Sequence, residues 1–335
     1  MTPDLDRWAA RSIAKGSKSF ALASLLFDAE TKRRVRLLYA WCRHCDDVVD
    51  GQEGGRRGVP LGAAVESEEA VLARLAELRE RTRRGLADPA SETGAFAAIG
   101  LVAAETGMAH DLPMRHLKGF AMDAYDRRYT RIEDTLDYCE HVAGVVGRMM
   151  AVVMGVSPED EALMTRAADL GLAFQLTNIC RDIVEDAAND RCYLPTEWLV
   201  GEDIAPGDHA RPENRFALTR VAEKMLTLAD RYYASASEGA AYLPPRAAWA
   251  VLTAEKVYRA IGEKVRAAGP DAWDERQYTT KLEKLRMLAA ARKDVKAAGP
   301  AEFTSSARGD LWTYDPADSW REPEPMMAVL DRQRV

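Results

Sequence analysis

The segment 175–195 constrains the fold of this chain more than any other stretch. Up to Asp186 its apolar residues recur every three or four positions, which predicts a helix. Residues four apart lie on one helix face, about 6 Å apart along the axis, so Asp182 and Asp186 share a face with Asn178. Glu185 adds a third carboxylate, and like charges this close repel one another. We therefore expect a cation to neutralise this end of the helix.

A hard divalent cation such as Mg²⁺ suits this face, because it prefers carboxylate oxygens and keeps water or phosphate oxygens as its other ligands. A lone Asp-x-x-x-Asp is more often a solvated helix face. However, Asp46 and Asp50 repeat the spacing far upstream, also at the end of an apolar helical run. Two such pairs on separate helices can face each other and hold an anionic group through several metal ions. The repetition favours a metal site.

The bulk composition limits the classes of function. With 335 residues, 47% of them hydrophobic and 30% charged, the chain suits one large soluble domain or two small ones. Its net charge of -7 argues against a nucleic-acid partner, which favours a basic face. No apolar run approaches the ~20 residues that span a bilayer. The N-terminus lacks the pattern of a signal peptide, so we predict a cytoplasmic protein.

The cysteines do not indicate a disulfide framework, since their number, five, is odd and the chain is long. Cys42 and Cys45 form a Cys-x-x-Cys around His44, which could indicate a zinc or redox site. A second ligand pair at matching spacing is missing, and the segment has helical spacing. We predict two reduced, partly buried thiols.

Residues 31–50 are predicted to form a helix in which Tyr39, Arg43 and Asp46 follow one another at intervals of about one turn. Arg43 could form an ion pair with Asp46 or bind phosphate oxygens. Residues 51–60 are rich in glycine and are predicted to be a flexible loop beside the first acidic pair.

The segment 15–20 combines small, hydroxyl and basic residues. One interpretation is a helix start with Ser17 or Ser19 as the N-cap. Another is a phosphate cradle built from N–H groups, hydroxyls and Lys18. Beside an acidic metal site both interpretations can hold.

Residues 132–154 are predicted to form a helix that contains Gly144 and Gly147, each costing up to about 1 kcal/mol relative to alanine. Close helix packing is one explanation, and space for a long apolar ligand in a bundle core is the other. The helix with the second acidic pair has the same character at Leu170 and Gly171. Two such helices below acidic ends predict the walls of one tunnel.

Strand alternation is not convincing anywhere, so the chain is predicted to be all-α. Further helices are predicted at 66–85, 95–105, 113–125, 215–235, 245–266 and 275–291. Tyr258 lies in the last but one of these helices, and Arg276 opens the last. Residues 1–295 are predicted to form the folded domain and 296–335 an irregular tail. Its aromatic residues, Trp312, Tyr314 and Trp320, could rest against the domain or at a membrane surface.

Two carboxylate pairs, a cationic fringe and an apolar tunnel suggest a ligand with a diphosphate on an apolar chain. Metal ions would withdraw charge from the diphosphate and make it a leaving group. The carbocation left behind must be shielded from water, so the cavity is expected to be dry, aliphatic and aromatic. These features indicate isoprenoid chemistry without fixing the reaction.

Four motifs in order resemble the squalene/phytoene synthase family, and its bacterial phytoene synthases in particular. They are Gly-Ser-Lys-Ser-Phe (16–20), Leu-Tyr-Ala-Trp-Cys-Arg-His-Cys-Asp-Asp-Val-Val-Asp (38–50), Tyr-Cys-Glu-His-Val-Ala-Gly-Val-Val-Gly (138–147) and Gln-Leu-Thr-Asn-Ile-Cys-Arg-Asp-Ile-Val-Glu-Asp (175–186). Arg-Cys-Tyr-Leu-Pro (191–195) follows them.

The resemblance implies an isoprenoid-synthase-type helical bundle around a central apolar cavity. It also implies a prenyltransferase of carotenoid biosynthesis that joins two geranylgeranyl diphosphates head to head, through prephytoene diphosphate, to phytoene. Mg²⁺, or Mn²⁺ in its place, is the implied cofactor. No NADPH is expected, because only the squalene synthases of this family finish with a hydride transfer.

The resemblance also implies the roles of individual residues. The implied metal ligands are Asp46, Asp50, Asn178, Asp182 and Asp186. The implied diphosphate contacts are Ser17, Ser19, Tyr39, Arg43, Arg181, Tyr193, Tyr258 and Arg276. The implied lining of the prenyl pocket is Phe20, Tyr138, Val142, Ala143, Val146, Gly147, Leu170, Gly171 and Gln175. The four aspartates, Tyr138 and Arg43 are the implied catalytic residues.

One residue departs from the family pattern, since Glu140 stands where relatives usually have an aromatic residue. A carboxylate inside the cavity would disturb a cation there, so we expect Glu140 to point to solvent. Two other functions stay open. One is a C30 synthase that makes dehydrosqualene or squalene-type products from farnesyl diphosphate. The other is a non-catalytic helper with the same fold, although such a helper should have lost the aspartates.

Substrate and product are both very apolar, so we expect loose, peripheral attachment to a membrane by a surface patch. Downstream carotenoid enzymes are further candidate partners.

Overall fold

The computed structural model describes residues 3–16, 24–49, 52–53, 56–57, 68–297 and 308–323. Over these residues the chain is a bundle of α-helices, which confirms the predicted all-α class. In chain order the helices are α1 (Pro3–Gly16), α2 (Ala29–Val49), α3 (Glu68–Ala87), α4 (Gly94–Thr106), α5 (Asp111–Ala124), α6 (Ile132–Cys139), α7 (Val145–Val153), α8 (Glu161–Ala187), α9 (Thr196–Val200), α10 (Arg215–Ala240), α11 (Pro245–Ala268) and α12 (Lys281–Ala297).

Shorter elements connect these helices. A π-helical turn, Glu140–Gly144, joins α6 to α7, and 3-10 turns lie at Pro89–Ser91, Pro212–Asn214 and Gly269–Trp273. In the loop after α2, strands β1 (Gln52–Glu53) and β2 (Arg56–Arg57) form a two-residue antiparallel ladder.

Helix α8 is the centre of the bundle, and α7, α10, α11 and the π-helical turn pack against it. Its start is fixed by Asp160, whose side chain accepts a hydrogen bond from the Leu163 N–H at 3.1 Å. Its middle is buried, with Leu172 and Leu176 almost fully enclosed. A helix buried on most of its surface can carry polar side chains at its far end while its middle forms the core.

Two glycines allow α8 to approach the neighbouring backbone closely. A Cβ on Gly147 would stand 2.1 Å from the Ala167 carbonyl oxygen, and one on Gly171 would stand 2.2 Å from the Ala143 carbonyl oxygen. Neither backbone could accept a larger residue without moving. Close packing, the first of the two explanations for such glycines, is therefore observed between α8 and the stretch that contains the π-helical turn and α7.

Several helix ends differ from the sequence prediction by a few residues, and two differences bear on the predicted site residues. The predicted helix 132–154 is interrupted by the π-helical turn. The last helix begins at Lys281, which leaves Arg276 in the preceding loop. A capping box sets this start: the Glu283 carboxylate accepts from the Thr280 N–H at 2.6 Å, and the Thr280 hydroxyl accepts from the Glu283 N–H at 3.3 Å.

Residues 308–323 contain no helix or strand and pack against the bundle. The Trp320 N–H donates to the Asp137 carboxylate at 3.0 Å. The Tyr314 ring meets the His141 ring edge-on, with 5.4 Å between centroids. The aromatic residues of this segment therefore rest against the domain rather than projecting from it.

Candidate active site

An apolar cavity of about 300 Å³ lies beside α8. Its wall contains seven of the nine residues predicted to line a prenyl pocket: Val142, Ala143, Val146, Gly147, Leu170, Gly171 and Gln175. Side chains that were not among the nine predicted lining residues complete it, among them Phe27, Met150, Met154, Leu163, Phe174, Leu243 and Val257. The wall is thus built from the π-helical turn, α7, α8, α10 and α11, with contributions from the segment before α2 and from α12.

Aromatic rings stand in the wall near the acidic end of α8. Tyr258 and Phe174 both line the cavity, and their rings stack with centroids 4.2 Å apart. Burial raises the pKa of Tyr258, and the nearby Arg181 guanidinium opposes this shift. Rings with a negative face can stabilise a positive charge that develops beside them.

The end of α8 carries the predicted carboxylates. Arg181 donates to Asp182 through Nε at 2.7 Å, and Arg276 donates to it through Nη2 at 2.9 Å. The second guanidinium also lies 3.6 Å from Glu185. The cationic fringe predicted from the sequence is therefore placed on Asp182, although Arg276 reaches it from a loop.

The surroundings of the Asp186 carboxylate differ from those of Asp182. Within the ranges that the structure describes, no hydrogen bond or ion pair reaches its side chain. Burial and, to a smaller extent, the charge of Asp182 raise its pKa to about 7, although Arg191 opposes both effects. Helix α8 has no basic residue in its last turn, and a helix C-terminus itself disfavours negative charge. The position destabilises an ionised carboxylate unless a cation binds.

Asn178 adds an unsatisfied acceptor one turn before Asp182. Its side chain lines the cavity, and its Oδ1 is buried with no hydrogen-bond partner in the structure. Its Nδ2 donates to Gln175 Oε1 at the long distance of 3.5 Å. A buried acceptor without a donor is costly, and such an atom marks a site for a ligand.

The upstream acidic helix end is formed by α2. Arg43 donates to Asp47 at 2.6 Å and lies 3.9 Å from Asp46, so its main partner is one residue beyond the predicted one. The Asp46 side chain is 46% exposed. Burial raises the pKa of Tyr39 to about 12, and Arg43 opposes this shift.

Several predicted residues lie outside the described ranges. They are Ser17, Ser19, Phe20 and Asp50. The arrangement of the two acidic helix ends across the cavity therefore stays a prediction. Cys42 and Cys45 are described, and both are free thiols, as predicted.

The residues present fit a divalent metal ion. No group of three or more His, Cys, Asp or Glu side chains in the described part of the chain is arranged to hold one. However, the orphaned Asn178 oxygen and the unpaired Asp186 carboxylate are both hard oxygen donors on one end of α8. Such donors are the ligands that Mg²⁺ prefers.

Asp123 is a site residue that the sequence analysis missed. Tyr193 donates to its Oδ1 at 3.0 Å and Tyr138 to its Oδ2 at 3.2 Å, and the two rings stack 4.6 Å apart. Its charge also contributes to the raised pKa of Asp186, so the two carboxylates are neighbours. Tyr138, expected in the prenyl pocket, lies in this cluster and not among the cavity-lining side chains. No acidic residue stands four positions before or after Asp123 in the sequence, and this was the only spacing used to find acidic pairs.

The expectation that Glu140 points to solvent is wrong. Glu140 is 2% exposed and accepts hydrogen bonds from Arg115 at 2.5 Å and Arg148 at 3.3 Å. The π-helical turn rotates this position away from where a regular helix would put it. Gly144 leaves room for the carboxylate, because a Cβ there would stand 2.1 Å from Glu140 Oε2. The two arginines compensate its charge, and it does not line the cavity.

Comparisons with known proteins agree with this architecture. The model of the squalene/phytoene synthase family matches residues 13–286. The phytoene synthase of Pseudescherichia vulneris is 51% identical over 310 residues, which cover 92% of this chain and 98% of that protein. The 15-cis-phytoene synthase of Pantoea ananas is 52% identical over 325 residues, which cover 96% and 99%.

A crystal structure of a dehydrosqualene synthase in complex with a ligand has the same fold, with a TM-score of 0.77. It is 23% identical and the match covers 88% of this chain and 98% of that one. The family model spans most of the sequence, including both acidic helix ends and the cavity wall. The chain therefore belongs to the squalene/phytoene synthase family.

Proposed function

We propose that this chain joins two molecules of geranylgeranyl diphosphate, through prephytoene diphosphate, to give phytoene, two diphosphates and two protons. Relatives that are about 50% identical to this chain, over nearly their whole length, are phytoene synthases. The structural observation that carries the proposal is the position of Gln175 and Asn178. Both line the apolar cavity, and they stand two turns and one turn before Asp182 on the same helix.

The acidic ends would hold the divalent metal ions. The proposed ligands are Asp46, Asp50, Asn178, Asp182 and Asp186. When bound, Mg²⁺ or Mn²⁺ withdraws negative charge from a diphosphate and so makes it a better leaving group. The raised pKa of Asp186 and the orphaned oxygen of Asn178 support this assignment.

The arginines beside the acidic ends would orient the diphosphates. Arg181 and Arg276 already converge on Asp182, and a guanidinium can bind a carboxylate or a phosphate in the same bidentate manner. Arg43 is placed in the same way on α2. Tyr39, Tyr193, Tyr258, Ser17 and Ser19 are proposed as further diphosphate contacts.

Tyr138 is proposed to act through its hydroxyl group. The proton of that hydroxyl is held by Asp123, next to the end of α8. Burial raises the pKa of Tyr138 well above its usual value, so the phenol stays protonated. The Tyr193 ring stacked on it fixes its orientation.

The cavity wall would exclude water from the carbocations. The residues from the π-helical turn, α7 and α8 offer aliphatic surface, so water finds few hydrogen-bond partners there. Phe174 and Tyr258 present ring faces at the end nearest the carboxylates. The apolar product would leave toward a membrane surface and the enzymes that consume phytoene. No described helix is long and apolar enough to cross a bilayer.

A product assay tests the proposal. The purified chain is incubated with geranylgeranyl diphosphate or farnesyl diphosphate, with Mg²⁺ and without NADPH, and the extracted products are identified by mass spectrometry. Phytoene from the C20 substrate is the expected result. Product from farnesyl diphosphate alone would replace the proposal by a C30 synthase, and no product from either would favour a non-catalytic helper.

A further inference from the structure

Helix α12 presents an unusual face to solvent. Its side chains at three- and four-residue spacing, Leu282, Leu285, Ala289, Lys293 and Lys296, are all exposed and share one stripe. Leu282 is 58% exposed and Leu285 is 56% exposed. Tyr278, in the loop before the helix, is 69% exposed. Three large apolar side chains in one small region are therefore left in water.

The same helix is basic in a chain that is acidic overall. It carries six lysine or arginine residues and two acidic residues, whereas the whole chain has a net charge of -7. Both acidic residues are already neutralised from α11. Glu283 pairs with Lys264 at 2.9 Å, and Asp294 pairs with Lys256 at 2.7 Å. The positive charge of α12 thus stands out against the rest of the molecule.

A shallow groove of about 560 Å³ runs between α11 and α12 along this face. Trp249 lines it, donates its indole N–H to the Leu288 carbonyl at 2.8 Å, and lies 5.2 Å below the Arg292 guanidinium. A half-buried tryptophan beside cations and exposed leucines matches the environment of a membrane interface, where an apolar body and a polar edge are both satisfied.

The position of α12 links this face to the cavity. Lys284, on the inner side of α12, lines the cavity beside α8. At this point α12 alone therefore lies between the apolar cavity and the basic surface that carries the exposed leucines.

We propose that the α12 face, comprising Tyr278, Leu282, Leu285, Lys293 and Lys296, docks on an anionic lipid bilayer. The leucines and the tyrosine insert among the acyl chains near the headgroups, and the basic residues contact anionic headgroups. A bilayer fits better than a protein partner, because Leu282 and Leu285 lie along a single helix stripe and the net charge of the helix around them is positive. The proposed function enters only in explaining why such docking is useful, since substrate and product are lipid-soluble.

Vesicle flotation of the full chain tests this proposal. Vesicles of phosphatidylcholine alone are compared with vesicles that contain 30% phosphatidylglycerol, with no substrate and no divalent metal. We expect at least tenfold stronger binding to the anionic vesicles, weakened by 0.5 M salt. Equal binding to both compositions, or no binding to either, would overturn the proposal.

Variants locate the surface. The double variant Leu282→Asp with Leu285→Asp is expected to weaken vesicle binding at least tenfold, because it removes the inserted apolar side chains. The double variant Lys293→Glu with Lys296→Glu is expected to weaken binding at least tenfold as well, because each basic residue near an anionic surface contributes about fivefold. The matched controls are Phe216→Asp, on an exposed phenylalanine of α10, and Arg83→Glu, on an exposed arginine of α3. Controls that lose as much binding as the α12 variants would contradict the assignment.

Two further measurements separate the alternatives. Sedimentation velocity compares the oligomeric state of wild type and of the α12 variants. If wild type is a dimer and the variants are monomers, the face binds a second copy of the chain and the proposal is wrong. Turnover is measured with detergent-dispersed substrate, where the α12 variants are expected to keep wild-type rates. Vesicle binding without phytoene formation would reject the proposed function and leave the docking face in place.

Discussion

Helix α8 carries three buried or partly buried aspartates, and two of them, Asp169 and Asp186, differ in the cations around them. Asp169 is 1% exposed and accepts hydrogen bonds from Arg308 Nε at 3.1 Å and Nη2 at 3.2 Å, and from the Ser235 hydroxyl. Burial raises the pKa of Asp169, and Arg308, Ser235 and Arg166 oppose that shift. Among the described residues, no cation contacts the side chain of Asp186, seventeen residues later, and its pKa is raised to about 7.

The difference shows which charges serve the fold and which serve a ligand. A buried charge with matched partners is tolerated because its desolvation is offset. An uncompensated one costs stability, so its presence requires another reason. Asp137 and Glu140 resemble Asp169, since each has arginine partners within the bundle. Asp186 stands apart from them, at a helix C-terminus that disfavours its charge.

The largest effect is expected from removing the other carboxylate at the ligand end. Asp182→Ala removes a proposed metal ligand and should lower turnover at least about 10³-fold, corresponding to the several kcal/mol that a bound metal supplies. The measurement is the rate of phytoene formation, with circular dichroism to establish folding. Glu185→Ala, on the same helix but 58% exposed, is the matched control and should stay within a few-fold of wild type. A folded Asp182→Ala protein with unchanged turnover would favour the helper function.

The variant Arg308→Ala tests whether Asp169 serves the stability of the fold. The change leaves Asp169 buried with less compensation and should destabilise the fold by about 3 kcal/mol. Chemical denaturation measures this free energy of unfolding. The matched control is Arg231→Ala, which removes an ion pair between the exposed Arg231 and Asp310 in the same segment and should cost much less than Arg308→Ala. Equal losses in the two variants would show that Asp169 does not depend on Arg308.

Helical spacing identified the fold class because apolar residues at three- and four-residue intervals need no knowledge of tertiary contacts. The same reasoning placed Asp182 and Asp186 on one face, whereas the resemblance to the family supplied the seven predicted residues that line the cavity. It failed at Glu140, because nothing in the local pattern signals a π-helical turn, and the arginines that compensate its charge lie on α5 and α7. Chain folding alone brings them together.

Asp123 and Arg308 illustrate the same limit. Asp123 matters through two tyrosines that lie 15 and 70 residues away. Arg308 lies in a segment rich in turn-forming residues, 139 residues from the carboxylate it binds. Single residues at such separations leave no periodic signal in a sequence. The residues that were predicted belong to motifs whose members are close together along one helix.

The smallest expected effect is the dependence of the free energy of unfolding on pH, which follows from the raised pKa of Asp186. The folded-state pKa of Asp186 is raised from 3.8 to about 7, so the folded protein keeps a proton that the unfolded chain loses above pH 4. The free energy of unfolding therefore falls as the pH rises from about 4 to about 7, and stays lower above that range. Asp186→Asn cannot ionise, so this penalty is absent from the variant.

Without divalent metal, Asp186→Asn should thus be more stable than wild type by about 1 kcal/mol at pH 8, a value well below the unscreened shift because water reaches the carboxylate. The difference should vanish near pH 4, as thermal unfolding at the two pH values can establish. Mg²⁺ at pH 8 should raise the melting temperature of wild type more than that of the variant, since only wild type has the charge to be neutralised. Asp169→Asn is the contrasting change: it should destabilise at pH 8, because it weakens a contact with Arg308. Stabilisation by both substitutions would remove the distinction between the two aspartates.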